Sequence, residues 1–251
     1  MKLYYSEYIL PESLQGIFSG AAKFVVKEKK KLNFQLLPDY TSSLLIIFNG
    51  KTKSISLKIA GYRDKKIKLN LSENSYIHLL KFKPEIFYLL NKGDIEKFKN
   101  RLTSFSKIKI EEEIISDEET IEILSKYFEI QNINIASIKD YVIKSVNEVV
   151  SSEGIYKIEK ISANAGTSMR QFQREFKKVT GFSPKEFSSI VRINSLTSEL
   201  IKENVSFRDI FFNFGFYDQA HFNKEFKKII GSNPALFESR QKLIRYLKLL
   251  K

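Results

Sequence analysis

Phe172-Gln-Arg-Glu-Phe-Lys-Lys-Val-Thr-Gly-Phe-Ser-Pro-Lys-Glu-Phe187 returns fifty residues later as Phe222-Asn-Lys-Glu-Phe-Lys-Lys-Ile-Ile-Gly-Ser-Asn-Pro-Ala-Leu-Phe237. Eight of the sixteen positions are identical, including both lysine pairs, Gly181/Gly231 and Pro184/Pro234. Such self-similarity marks a duplicated supersecondary unit. Upstream the offset falls to forty-nine, pairing Ile161 with Ile210, Asn164 with Asn213 and Gly166 with Gly215, so the second copy holds one extra residue in its turn.

Each copy carries the parts of a helix-turn-helix. A short helix ends at a glycine that can turn left-handed, Gly166 or Gly215. A second helix follows, N-capped by Ser168 (with Gln171 at the capping-box position) or by Asp218. Its apolar stripe is Phe172, Phe176, Val179 or Phe222, Phe226, Ile229, the spacing of a helix face turned to a core. Gly181 and Gly231 stop these helices. Ser183-Pro184-Lys185-Glu186 then starts a connecting helix that runs to about Glu203, while Ser206 with Asp209 caps the next. Asn233-Pro234 restarts the chain towards a basic tail, Arg240–Lys251.

The wheel of each second helix predicts its exposed face. Opposite Phe172 and Phe176 lie Arg170, Arg174 and Lys177, flanked by Gln173. Opposite Phe222 and Phe226 lie Ala220, Lys224 and Lys227, flanked by His221 and Asn223, with Gln219 at the N-terminal tip. Arginine suits guanine edges, Gln and Asn suit adenine, and lysine neutralises phosphate. A polar face alone is ordinarily a solvated face; two copies behind matching turn glycines favour DNA contact.

Charge agrees with that reading without deciding it. The 251-residue chain carries 42 basic and 29 acidic side chains, a net of +13. Residues 1–130 hold 22 basic and 17 acidic side chains against 20 and 12 in residues 131–251, so the excess is +5 and then +8. Lysines outnumber arginines 34 to 8, and much of this lysine reads as background composition. With no cysteine there is no disulfide framework or thiol nucleophile. The two histidines, His78 and His221, cannot build a multi-histidine metal centre, and no cofactor or metal is expected. His78 reads as a satisfied core residue in an apolar strand, and His221 as a groove-edge or capping residue. The Glu111-Glu112-Glu113 cluster reads as a solvated loop. An enzyme with an appended DNA-binding tail would need an acid/base or nucleophile constellation in residues 1–130, and none has motif spacing. The first residues lack the apolar stretch of a signal peptide and no 18-residue apolar run follows, which predicts a soluble, cytoplasmic protein without membrane contact.

The N-terminal half has another period. From Leu32 to about Phe82 the pattern is strand-like: Leu44–Phe48 meets the turn signal Asn49-Gly50, then Ser54–Ile59 alternates, as do Ile67, Leu69 and Leu71, and Tyr76–Phe82 is a further strand. Helical spacing takes over in Glu85–Leu102, interrupted near Gly93, and again from Ser116 to about Phe128. Asn132-Ile133-Asn134 reads as the linker, and Ile138, Val142, Val146 and Val149 mark a helix ending near Gly154. The expected fold is α+β. A β-rich domain with helices, residues 1–131, precedes an all-α domain, residues 135–251, of two helix-turn-helix motifs joined by a linker helix.

Over residues 136–240 the sequence resembles the AraC family of bacterial transcription regulators. Its most specific piece is Gly215-Phe216-Tyr217-Asp218-Gln219-Ala220-His221-Phe222, followed by Phe226-Lys227-Lys228, Gly231 and Pro234. The resemblance implies two recognition helices entering successive major grooves on one face of double-stranded DNA. Base contacts would come from Arg170, Gln173 and Arg174, and from Gln219, His221, Asn223 and Lys224. Two packing positions depart from the pattern: Ser195 stands where a small alanine is usual, and Phe211 replaces the common alanine before the second turn. Leu36-Leu37-Pro38-Asp39, Leu44–Phe48, Gly61 and Leu80-Lys81-Phe82-Lys83-Pro84 look similar to the small β-rich sensor domain of some of these regulators, which implies ligand sensing or dimerisation. The function expected is that of a sequence-specific regulator, an activator by family habit. RNA polymerase and an unidentified small-molecule effector are its further partners, and it acts as a monomer or homodimer. A non-specific nucleoid-type protein is the alternative.

Overall fold

The computed structural model describes residues 3–27, 32–108, 117–131, 133–155, 166–203 and 206–239. The expected cap at Ser116, the Glu111–Glu113 loop, Asn132, the short helix around Ile161 and the tail Arg240–Lys251 lie outside these residues. The chain divides into two compact units. One holds Met1–Leu36, Thr41–Arg63 and Ile67–Ile135; the other holds Leu37–Tyr40, Asp64–Lys66 and Ala136–Lys251.

In the first unit the strands are β1 (Leu3–Glu7), β2 (Phe18–Val26), β3 (Leu32–Leu36), β4 (Ser43–Asn49), β5 (Ser54–Ala60), β6 (Ile67–Leu71), β7 (Tyr76–Phe82) and β8 (Leu102–Ser104). Six form one antiparallel sheet in the order β1-β2-β7-β4-β5-β8, and β3 pairs with β6. Leu45 and Ile47 of β4, Ile77 and Leu79 of β7, Phe34 and Leu36 of β3, and Ile67, Leu69 and Leu71 of β6 share one core. The alternate residues of the large sheet, Leu44, Leu80 and Phe82, are buried too. Two buried faces explain why Leu44–Phe48 is a continuous apolar run rather than an alternating one. On that second face lie α1 (Glu12–Gln15), α2 (Pro84–Leu90) and α3 (Asp117–Glu129), with Phe82 meeting Phe87 at 5.4 Å and Phe128 at 6.0 Å between ring centres.

Several sequence expectations need correction. Residues 1–31 carry β1 and β2, which the strand reading began too late to include. The helical reading of Glu85–Leu102 holds only to Leu90; a 3-10 turn at Glu96–Phe98 and the short β8 follow. The β4–β5 hairpin forms as expected, but through a longer loop in which Lys53, not Gly50, takes the left-handed conformation at φ 59. Gly50 serves close approach instead: a Cβ there would run into the backbone of Glu73 and Asn74. His78 is buried in β7 with its Nδ1 3.2 Å from the Tyr8 hydroxyl, while its Nε2 makes no hydrogen bond.

The second unit is helical: α4 (Asp140–Ser151), α5 (Met169–Thr180), α6 (Pro184–Glu203), α7 (Phe207–Ile210), a 3-10 turn (Phe211–Phe214) and α8 (Gln219–Ile230), with residues 234–239 helical again. Val142, Val146 and Val149 form the buried face of α4. A phenylalanine-rich core (Phe207, Phe211, Phe214, Phe216, Phe222, Phe226) packs on Ile193, Leu196 and Leu200 of α6. Phe211, one of the two departures, stacks nearly parallel on Phe222 at 5.6 Å and 10°. The larger ring is thus absorbed by an aromatic partner, and Ser195 is half-buried on α6.

Candidate nucleic-acid interface

Local chemistry fixes the second helix of each copy, α5 and α8. Ser168 accepts the Gln171 amide at 3.3 Å, and Asp218 accepts the His221 amide at 2.7 Å, each satisfying a donor that the helix start leaves open. Gly166 and Gly215, at φ 62 and 70, turn the chain into them. Gly181 and Gly231, at φ 80 and 70, end them, each amide returning to a lysine carbonyl, that of Lys177 or Lys227. α5 and α8 are therefore twelve-residue segments cut to the same length by the same devices.

Burial sorts the faces. Phe172, Phe176 and Val179 are buried on α5, and Phe222 and Phe226 on α8. The expected third member, Ile229, is only half-buried; Ile230 takes its place in the core. Arg170, Gln173, Arg174 and Lys177 are all exposed on one helix, and Gln219, His221, Asn223, Lys224 and Lys227 on the other. Arg174 is not wholly free, since its guanidinium holds Glu175 at 3.1 Å. Tyr217, 88% exposed in the second turn immediately before the cap, was not among the expected contacts. Its place beside the tip of α8, in the extra residue of the second copy, was the available signal.

α6 spans twenty residues between the copies. Its start is a full capping box: the Ser183 hydroxyl and Glu186 carboxylate exchange bonds with each other's backbone amides at 3.3 and 2.9 Å. One side chain of α6 stands out. The Gly154 carbonyl, just past α4, accepts from Ser188 Oγ at 2.7 Å, Arg192 Nη2 at 2.6 Å and Arg192 Nε at 3.1 Å. Gly154 sits at φ 76, and a Cβ there would run into the Ser188 carbonyl, so only glycine admits this approach. The Arg192 guanidinium also lies 5.5 Å over the Phe216 ring. Phe216 in turn meets His221 edge-on at 5.5 Å and Phe222 at 5.2 Å. Burial lowers the Arg192 pKa and the charge of Glu225 opposes that shift, so the cation is partly desolvated where it meets the ring. A continuous path of contacts therefore runs from the end of α4 through α6 to the first turn of α8. Arg192 carries no local signal in the sequence, because Gly154 lies thirty-eight residues away.

Among the described residues no group of three His, Asp or Glu could hold a metal, and no helix is long and apolar enough to cross a membrane.

A helix-turn-helix domain family matches residues 161–240. No curated protein matches the sequence. Among solved structures, ToxT from Vibrio cholerae O395 is similar over 94% of this chain and 97% of its own, at 12% identity and a TM-score of 0.50. A second ToxT structure from Vibrio cholerae covers 95% of this chain and 98% of its own, at 12% identity and a TM-score of 0.49. At that identity the likeness speaks to the fold: a β-rich region followed by a helical one. The match to the helix-turn-helix domain family covers both copies of the repeat, α5 and α8 included.

Proposed function

We propose that the protein is a sequence-specific DNA-binding regulator, an activator acting in the cytoplasm, that places α5 and α8 in successive major grooves of one DNA face. The observation that carries this reading is the matched pair of helices, equally long and similarly capped, each burying a Phe stripe and exposing a polar face. Grooves on one face recur every ~34 Å, which demands a stiff connector. α6, capped and packed along the core, supplies it. Arg170, Gln173 and Arg174 on α5, and Gln219, His221, Asn223 and Lys224 on α8, are the base-reading set. Lys177 and Lys227 serve the phosphates. Two motifs in one chain give two groove contacts, so monomer binding suffices for the site, and a homodimer would double it. Residues 135–251 form the DNA-binding domain in this reading, and residues 1–131 the regulatory domain that answers a small-molecule effector; RNA polymerase is the protein partner of activation.

Binding selection from random duplexes, followed by titration of the selected site, tests the reading. Arg174→Ala and Lys224→Ala should each cost about 1–3 kcal/mol at that site and relax its sequence, whereas Lys228→Ala weakens all DNA alike. Equal losses on random DNA for all three would replace the proposal with a non-specific nucleoid-type protein. Ser195→Pro, which breaks α6, should abolish specific binding and leave a residue that falls steeply with salt.

A further inference from the structure

The second face of the large sheet holds a cavity that DNA binding does not use. It has a volume of about 330 Å3 and opens between β5, α2, the turn Glu96–Phe98, β8 and α3. Small-molecule sites start at roughly that size. Six rings line it: Phe82, Phe87 and Phe128 are buried, and Phe98, Phe105 and Tyr127 are half-buried. Phe87 meets Phe98 edge-on at 5.2 Å, Tyr127 meets Phe128 at 4.9 Å, and Phe105 meets Tyr127 at 6.1 Å. These contacts brace the walls against one another. At Gly61 a Cβ would run into the Phe98 carbonyl, so glycine is what allows the turn bearing that ring to sit so close to β5.

The charge of the lining has one sign. Lys92, Lys97 and Lys107 contribute to it, and no acidic side chain does among the described residues. Lys97 gives its charge to Asp94 at 2.9 Å and lies 5.3 Å over the Phe98 ring. Among the described residues neither Lys92 nor Lys107 has an ion pair. Lys92 is moreover held at φ 52, a conformation that a side chain disfavours, where the chain leaves α2. Rings and two uncommitted cations on the lining select a compact apolar body bearing a negative charge.

We propose that this cavity binds a small aromatic carboxylate, its rings against Phe87, Phe98, Tyr127 and Phe128 and its carboxylate held by Lys92 and Lys107. Ring walls favour an aromatic body over a flexible chain, since aromatic pairs gain beyond the area they bury and a rigid ligand loses less freedom. The site gives the regulatory reading of the first unit a ligand class and a location, and rests on that reading only for its biological consequence.

Biphenyl-4-carboxylate titrated calorimetrically into the full chain is the direct test, with biphenyl-4-methanol and decanoate as controls and melting temperature as a second readout. The carboxylate should bind saturably and about tenfold or more tighter than either control. The double variant Lys92→Met/Lys107→Met should lower its affinity to that of the alcohol and leave the alcohol unaffected. Both lysines are exposed, so the unliganded variant should melt as the parent does. Equal affinity for acid and alcohol, tighter binding of decanoate, indifference to the double variant, or no saturable binding would each overturn the proposal. These measurements contain no DNA, so their failure is distinct from a failure of site-specific DNA binding.

Discussion

The two repeated helices, α5 and α8, share a framework and differ in much of what they expose. α5 and α8 have the same length, the same left-handed glycines before and after, and the same pair of buried phenylalanines. Their exposed faces keep a lysine, Lys177 or Lys227, and an amide, Gln173 or Asn223, but set Ala220 against Arg170 and Lys224 against Arg174, with Gln219 and His221 added on the second. Their support differs too. The second copy has one more residue in its turn and places Phe216 there, under Arg192 and against His221. The shared framework answers the general demand for a helix held end-on, and the divergent parts give each helix its own exposed chemistry.

That contrast can be broken most severely at the shared core. Phe172→Ala and Phe222→Ala should each cost about 3–5 kcal/mol of stability, read from denaturant unfolding, because both rings are buried and their neighbours are rings that cannot collapse inward. A large difference between the two would show that one copy folds on its own terms. Gly154→Ala comes next. The added Cβ meets backbone rather than a movable side-chain end, and the left-handed φ adds strain, so a loss of about 2–4 kcal/mol is expected in thermal melting.

Arg192 sharpens the comparison further, because its ring contact belongs to the second copy alone. Arg192→Met keeps the packing of the stem and removes the guanidinium. Affinity for the selected site should fall by about 1–2 kcal/mol, with the loss confined to the base pairs read by α8. Arg192→Lys should recover part of it. Loss spread evenly over the whole site would mean that Arg192 supports the domain and not that helix. At the small end stand the caps. Ser168→Ala and Asp218→Ala should each cost ~1 kcal/mol. Asp218 should cost more, since its bond is shorter and its charge also faces the positive end of the helix.

Legibility in the sequence followed how local each determinant was. Caps, turn glycines and the Phe stripe are set by residues within one turn of each other, so α5, α6 and α8 were read nearly to the residue. The strand β2, Phe18–Val26, escaped because Gly20-Ala21-Ala22 within it are small residues with poor strand preference, and because its register shifts between Phe18 and Gly20. Its strand character comes from β1 and β7 on either side. β8 escaped for the same reason: Leu102-Thr103-Ser104 is too short to show a period and exists by pairing with β5. The bond between Arg192 and Gly154 joins residues thirty-eight apart, and only the packing of α4 on α6 brings them together. The cavity lysines likewise look like the rest of a lysine-rich chain until the fold surrounds them with rings.

The unlike faces of the duplicated helices carry a consequence for the shape of the message they read. A dimer of identical readers meets a palindrome and can be turned around without changing anything. A single chain with two different readers in tandem, as proposed here, has a head and a tail, and so must its site. Cutting the site out and reinserting it backwards would turn the protein with it, presenting the opposite side of the bound molecule to whatever lies downstream. Orientation then becomes part of the instruction, written in the drift between Arg170, Gln173 and Arg174 on one copy and Gln219, His221 and Asn223 on the other.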